Sequence, residues 1–106
     1  MPAVVVLSTF PDETRAADIA RALVDARLAA CVNLVAGARS IYRWQGAIEE
    51  AREVLAVIKT TSDRLDALRT RLVELHPYEV PEVIAMPVVG GHAPYLDWIS
   101  GETALG

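Results

Sequence analysis

The fold is decided by residues 31–59, which read CVNLVAGARSIYRWQGAIEEAREVLAVIK. Residues 31–44 have the pattern of a long strand, and a second strand pattern covers residues 47–59. Gln45 and Gly46 stand between the two, and a two-residue connection that ends in glycine favours a tight hairpin turn. The second strand is charged near the turn and continuously apolar further on. We therefore predict a long hairpin whose tip projects beyond the core.

Helix and strand patterns flank this hairpin on both sides. Residues 3–10 form a short Val-rich run that is typical of a buried strand. Asp12 is a suitable helix N-cap, and apolar residues at helical spacing continue from there to about Leu28. After the hairpin, the hydroxyl groups of residues 60–62 are expected to cap a second helix. Its apolar stripe consists of Leu65, Leu68, Leu72 and Leu75.

The remaining patterns complete the fold class. Residues 82–89 predict a fourth strand, Gly90 and Gly91 end it, and residues 92–102 predict a last short helix. The order is therefore β-α-β-β-α-β with a C-terminal helix, in one domain of residues 1–106. This is an α+β protein of the ferredoxin-like arrangement, in which both helices cover one sheet face. The other face receives apolar and aromatic residues of the long strands, so we expect another subunit to cover it.

Composition narrows the classes of function. No apolar run approaches the roughly 20 residues that a membrane helix needs. Ten basic residues against fourteen acidic ones give a net charge of −4, which offers no footprint for nucleic acid. The single cysteine, Cys31, cannot form an intrachain disulfide, which agrees with a reducing, cytoplasmic location. A chain this short with 53% hydrophobic residues also favours oligomerisation.

A stiff and chemically dense loop joins the second helix to the fourth strand. It reads HPYEVPE over residues 76–82 and holds Tyr78 and Glu79 between Pro77 and Pro81, each of which fixes its own backbone. A rigid presentation of this kind suits a subunit contact or a ligand site. It equally suits a loop whose tyrosine packs and whose glutamate is solvated. Both alternatives stay open at the level of the sequence.

The same loop holds the candidate metal ligands. His76 with Glu79 or Glu82 could form an open imidazole and carboxylate site, which suits Cu(II) or Zn(II), above all where copies of the chain meet. No two of His76, His92 and Cys31 stand at a CxxC or HxxxH spacing, so a closed site within one chain is not expected. The alternative is a helix-end histidine that the helix dipole stabilises.

Patterns for catalysis are weak. Cys31 lies at the start of a strand, where a small buried residue is expected, and Ser8 has no adjacent His or Lys to activate it. Glu49 and Glu50 lie at a hairpin tip, whereas general acid and base catalysis needs an apolar pocket. We therefore expect that the protein has no enzymatic activity. A hydrolase that uses clustered carboxylates and Tyr78 across an interface is the enzymatic alternative.

Four motifs in order carry a resemblance to a known family. They are ACVN at residues 30–33, SIYRWQG at 40–46, IKTT at 58–61 and HPYEVPE at 76–82, and YLDW at 95–98 is similar to the family's last helix. Over nearly its whole length the chain resembles the CutA family of divalent-cation tolerance proteins. The resemblance implies a ferredoxin-like homotrimer in which the hairpins pair edge to edge between subunits, as in PII-like signalling proteins.

The resemblance also implies a role and a set of site residues. It points to tolerance of divalent metals, copper above all, with no required cofactor. Ser8 and Leu75 stand where copper-binding members carry a cysteine and the first of two histidines, so only His76 carries over and Cu(II) binding is expected to be weak. The metal candidates are His76 and Glu79. The candidates for the trimer interface or an intersubunit cleft are Tyr42, Trp44, Lys59, Tyr78, Glu82 and Trp98.

Two interpretations of function follow. In the first, a cytoplasmic homotrimer responds to metal ions and binds a divalent metal weakly, or a small anionic ligand, at clefts between its subunits. In the second, the protein is a PII-like signalling module, and a small ligand at those clefts changes its contact with a partner protein.

Overall fold

A computed structural model describes residues 2–105 and has the predicted order of elements. Its strands and helices are β1 (Ala3–Phe10), α1 (Glu13–Asp25), β2 (Cys31–Trp44), β3 (Ala47–Thr61), α2 (Leu65–Leu75), β4 (Ile84–Pro87) and α3 (Ala93–Glu102). The first two strands begin and end where the sequence predicts. The ferredoxin-like α+β class with a C-terminal helix is therefore confirmed.

The sheet is antiparallel and has the strand order β2-β3-β1-β4. Val6 lies opposite Ile58 on one side and Ala85 on the other, which places the middle of β1 at the centre of the sheet. The helices α1 and α2 cover one face of this sheet, because their apolar stripes pack there against alternate strand residues. The core consists of Val4, Val6, Phe10, Ala16, Ile19, Leu23, Leu28, Ala29, Val54, Ala56, Ile58, Leu68 and Leu72.

Helix α3 covers one end of the opposite face. Ile99 of α3 packs there against Ala3 and Ala30. Side chains alternate along each strand and partners across strands share a face, so the rest of that face can be read from the register. We call it the open face; it bears Cys31, Asn33, Val35, Tyr42, Trp44, Glu53, Leu55, Val57 and Lys59.

The hairpin of β2 and β3 extends beyond the helix-covered part of the sheet. The last pair between β1 and β3 is Phe10 with Val54, and from there to the tip β3 pairs only with β2. The described chain measures 45 × 25 × 22 Å, and its radius of gyration of 14.3 Å exceeds the roughly 13 Å of a compact chain of this length. The projecting hairpin predicted from the sequence is therefore present.

Two glycines in this hairpin have a backbone that favours glycine. Gly37 has a φ of 81° and lies in the irregularity where the register shifts between Val35 and Ala38. Gly46 has a φ of 82° at the turn, and Gln45 before it is also left-handed, with a φ of 49°. These values are the pattern of a two-residue turn whose twist matches that of the flanking strands.

The predicted hydroxyl cap of the second helix is wrong. β3 continues through Thr60 and Thr61, so both threonines are buried strand residues. The Thr60 hydroxyl donates a hydrogen bond to the Leu28 carbonyl at 2.7 Å, and the N-cap of α2 is Arg64, which makes no side-chain capping bond.

Two other boundaries also differ from the prediction. α1 ends at Asp25 rather than near Leu28, because Arg27 takes a left-handed φ of 58° and turns the chain. β4 is limited to Ile84–Pro87 instead of residues 82–89, since β1 offers it partners only from Val4 to Leu7.

Candidate functional site

The proline-bracketed loop is anchored by a buried histidine. His76 is only 7% exposed, caps the C-terminus of α2 and stacks on Phe10 with 4.6 Å between ring centroids. Its Nε2 lies 2.7 Å from the Thr9 carbonyl oxygen, so this nitrogen carries the proton and donates. Its Nδ1 accepts from the Tyr78 N–H at 3.1 Å. Burial lowers the pKa of His76, which keeps the ring neutral in this arrangement.

These contacts bear on the predicted metal ligands His76 and Glu79. Both ring nitrogens of His76 are engaged, so a metal could bind one of them only if a hydrogen bond were given up. Glu79 and Glu82 lie exposed on the loop. Within residues 2–105, no three His, Cys, Asp or Glu side chains converge as metal ligands. The metal site at His76 and Glu79 stays a prediction.

The loop delivers Tyr78 to the open face. Its hydroxyl donates to the Glu53 carboxylate at 2.6 Å, although the two residues are 25 positions apart. Burial, followed by the hydrogen bond to Glu53, raises the pKa of Tyr78 well above its ordinary value, so the phenol stays a donor. Tyr42 lies close enough to add to this effect. Tyr42 and Tyr78, both predicted cleft residues, therefore lie at one end of the open face.

Glu53 itself was missed in the sequence. The sequence places Glu53 among the charged residues near the hairpin turn, where exposure is expected, yet it is only 9% exposed. Glu53 is two positions before Leu55 and four before Val57, which are apolar residues of the open face. Because alternate residues of a strand share a face, this spacing places Glu53 on the open face and could have identified it. Trp44 belongs to the same face of the hairpin, closer to the turn.

The other end of the open face is built around Lys59. Lys59 lies directly opposite Cys31, and its ammonium donates to the Asn33 side-chain oxygen. The Cys31 thiol lies 3.6 Å from that same oxygen, so Cys31 is a half-buried participant rather than the core residue that the sequence predicted. Tyr95 lies beside Cys31 and stacks on Trp98 with 5.5 Å between ring centroids.

The structure therefore divides the predicted interface residues among three places. Tyr42 and Tyr78 lie near Glu53, Trp44 lies at the hairpin turn opposite Ala47, and Lys59 and Trp98 lie at the other end of the open face. Glu53 and Lys59 are six residues apart on one strand, which is about 20 Å at the usual strand rise. Glu82 is exposed on the loop before β4, and no described contact joins it to either end.

Ser8 occupies an unusual place in the core. It lies on β1 opposite Ala56 and is fully buried. Its hydroxyl has no hydrogen-bond partner within the described residues. A buried hydroxyl without a partner costs stability, because the hydration that it loses on folding is not replaced.

Comparisons with known proteins agree with the geometry. The family model described as CutA1 divalent ion tolerance protein matches residues 4–102. The divalent-cation tolerance protein CutA of Thermus thermophilus is 52% identical over 99 residues, 93% of this chain and 96% of that protein. Protein CutA of Mus musculus is 55% identical over 91 residues, 86% of this chain but only 51% of that protein. The crystal structure of CutA from Xylella fastidiosa superposes with a TM-score of 0.95 at 46% identity, over 98% of this chain and 100% of that one.

The fold defines an α+β protein with a ferredoxin-like sheet, a long projecting hairpin and one open face. The chain belongs to the CutA1 divalent ion tolerance protein family. It spans nearly the whole Thermus relative and about half of the mouse one. No helix within residues 2–105 is both long enough and apolar enough to cross a membrane.

Proposed function

We propose that this protein acts as a homotrimer in the response to divalent metal ions, with ligand sites where its subunits meet. The observation that carries the proposal is the open face, on which Val35, Tyr42 and Trp44 are exposed in the described chain. The names of its relatives as divalent-cation tolerance proteins support the metal response. Its single free thiol agrees with a reducing compartment, which we take to be the cytoplasm.

The hairpin supports the homotrimer most directly. Ile41 is 62% exposed and Ile48 is 70% exposed, and Tyr42 and Trp44 are exposed beside them. β2 is also an edge strand of 14 residues, and a long apolar edge readily pairs with another chain. A closed ring of subunits buries both features without leaving an edge for further addition.

We further propose that a subunit boundary gives His76 and Glu79 the extra ligands that a divalent ion such as Cu(II) needs. Imidazole with carboxylate is a suitable donor set for this ion. Binding costs His76 one of its two hydrogen bonds, so we expect a dissociation constant of roughly micromolar or weaker.

Calorimetric titration with Cu(II) tests this site. Glu79→Gln removes a ligand from an exposed residue without touching the buried imidazole, and it should abolish the binding heat. Glu74→Gln is the matched control, because Glu74 is an exposed glutamate of α2 that pairs with Arg71. Tight stoichiometric binding that survives Glu79→Gln would place the metal elsewhere.

The second candidate function is a PII-like module that binds a small ligand at the clefts. It is favoured by Lys59, a half-buried ammonium beside the exposed, stacked rings of Tyr95 and Trp98. Neither candidate involves a catalytic step. Equilibrium dialysis against a nucleotide mixture, with Lys59→Gln as the comparison, separates this candidate from a metal protein: retention of a nucleotide that depends on Lys59 supports it.

A further inference from the structure

Within the described residues, Glu53 is a buried carboxylate that no cation pairs with. It is 9% exposed, and its hydrogen bond from Tyr78 comes from a neutral phenol. None of the ion pairs between residues 2 and 105 includes Glu53. Buried charges in folded proteins are normally paired, because a phenol alone offsets little of the hydration that a carboxylate loses.

Lys59 is the reverse case on the same strand. It is half-buried, and its ammonium donates to the neutral amide oxygen of Asn33. In the described part of the chain no carboxylate lies within ion-pair distance of it. Among the described residues, the open face thus carries the Glu53 carboxylate without a basic partner at one end. It carries the Lys59 ammonium without an acidic partner at the other end.

The two groups cannot meet within one chain. They are six residues apart on one extended strand, which separates them by about 20 Å. They can meet between chains, because in a ring each subunit presents two different patches, one to each neighbour. We propose that Lys59 of one copy forms an ion pair with Glu53 of the next, and that Tyr78 holds the carboxylate in position. This inference rests on the proposed homotrimer and names a contact that closes it.

The other basic residues do not offer this pair. Within residues 2–105, five arginines already pair with carboxylates, and Arg64 donates to the Arg27 carbonyl. Arg43 and Arg52 belong to the hairpin, but the alternation of strand residues places them on its opposite face from Glu53. Arg21 belongs to α1, on the helix-covered side of the sheet. Lys59 is the only lysine of the chain and the one basic residue among the open-face positions.

A double-mutant cycle on assembly tests the pair. Glu53→Gln and Lys59→Gln are made singly and together, and subunit dissociation is followed by light scattering on dilution. Each single change should raise the dissociation constant about tenfold or more. The dissociation constant of the double variant should be no higher than that of the more severely affected single variant. The charge exchange Glu53→Lys with Lys59→Glu should recover part of the loss. Arg69→Gln, which breaks the exposed pair with Asp66 on α2, away from the open face and the hairpin, is the control and should change the constant less than about threefold.

A second measurement is independent of how well the Glu53 variant folds. Lys59 is the sole lysine, so its acetylation by acetic anhydride can be read by mass spectrometry after peptide cleavage. In the folded wild-type protein, Lys59 should be acetylated at least tenfold more slowly than in the denatured chain. Equal rates would overturn the pairing.

The outcomes separate this inference from the assembly on which it rests. A trimer whose two losses simply add, or that neither change weakens, overturns the ion pair and leaves the homotrimer standing. A monomeric unmodified protein overturns both. Non-additive losses with recovery in the exchanged variant support the pair.

Discussion

The two halves of β3 differ in what their side chains touch, although they form one continuous strand. From Val54 to Thr61 the strand pairs with β1, as far as Lys59 it also lies beside β2, and residues such as Ile58 are fully buried under α1 and α2. From Ala47 to Glu53 it pairs only with β2, and Ile48 is largely exposed. On the side that the helices cover, the helix-covered half (Val54 to Thr61) is complete within one chain. The hairpin half keeps apolar groups for which only another surface can supply contacts.

The largest effect on the folding of the single chain is expected in the helix-covered half. Leu72→Ala empties part of a fully buried site under α2 and should lower the free energy of unfolding by about 2–5 kcal/mol. Val73→Ala, on the exposed side of the same helix, is the control and should change it by less than about 0.5 kcal/mol. Denaturant titration compares the two. Equal losses would mean that the core is not where the structure places it.

In the hairpin half the effect should fall on assembly. Trp44→Ala removes a large aromatic group of the open face, and truncation of a packed tryptophan costs on the order of 3–5 kcal/mol. The variant should therefore dissociate at a higher protein concentration than the unmodified protein. If it remains an equally stable oligomer in denaturant titrations, Trp44 lies outside the contact between subunits.

A smaller effect is expected from pH where the two halves meet, at His76. The pKa of His76 is lowered by burial, so as the pH falls the unfolded chain takes up this proton before the folded one does. The stability contribution of the neutral ring is thus present above the unfolded value of about 6.5 and is lost as the pH falls below it. Unfolding free energies measured from about pH 7.5 down to 5 should show this loss.

The matched variants for this measurement are His76→Gln and His92→Gln. His92 lies exposed at the start of α3, so its variant is the control. His76→Gln should flatten the acid dependence. An acid profile that is the same in both variants would assign the dependence to other groups.

The smallest effect contrasts two buried hydroxyls of the helix-covered half. Ser8→Ala removes a hydroxyl without a partner and should raise the free energy of unfolding by about 1 kcal/mol. Thr60→Val removes one that donates to the Leu28 carbonyl and should lower it by about 1 kcal/mol. Denaturant midpoints of both variants at equal m-value decide the signs. A loss of stability in Ser8→Ala would contradict the absence of a hydrogen-bond partner for this hydroxyl among the described residues.

Much of the fold could be predicted from the sequence, because local pattern and tertiary packing agree in most elements. β1 and β2 have their predicted bounds since their strand patterns are not interrupted. The error at Thr60 and Thr61 has a physical cause. Threonine occurs both as a helix-capping residue and as a β-branched strand residue. Here Thr60 and Thr61 belong to the strand because they pair with Val4 and Ala3, which lie near the other end of the chain.

Less of the candidate site could be predicted, because its decisive contacts join distant parts of the chain. Residue type and resemblance found Tyr42 and Tyr78, which do lie near each other. The burial of Glu53 depends on that same loop, and the two nitrogens of His76 are engaged partly by Thr9, 67 residues earlier. No local pattern encodes such contacts. The sequence therefore does not reveal the burial of Glu53. It also does not reveal that both ring nitrogens of His76 are engaged in hydrogen bonds instead of being free to bind a metal.

Other copies of this chain are expected to complete the open face and the hairpin. Light scattering coupled to size exclusion, on the unmodified protein at micromolar concentration, measures this assembly. We expect a mass three times the 11.5 kDa of the chain. A mass equal to that of a single chain would contradict this expectation.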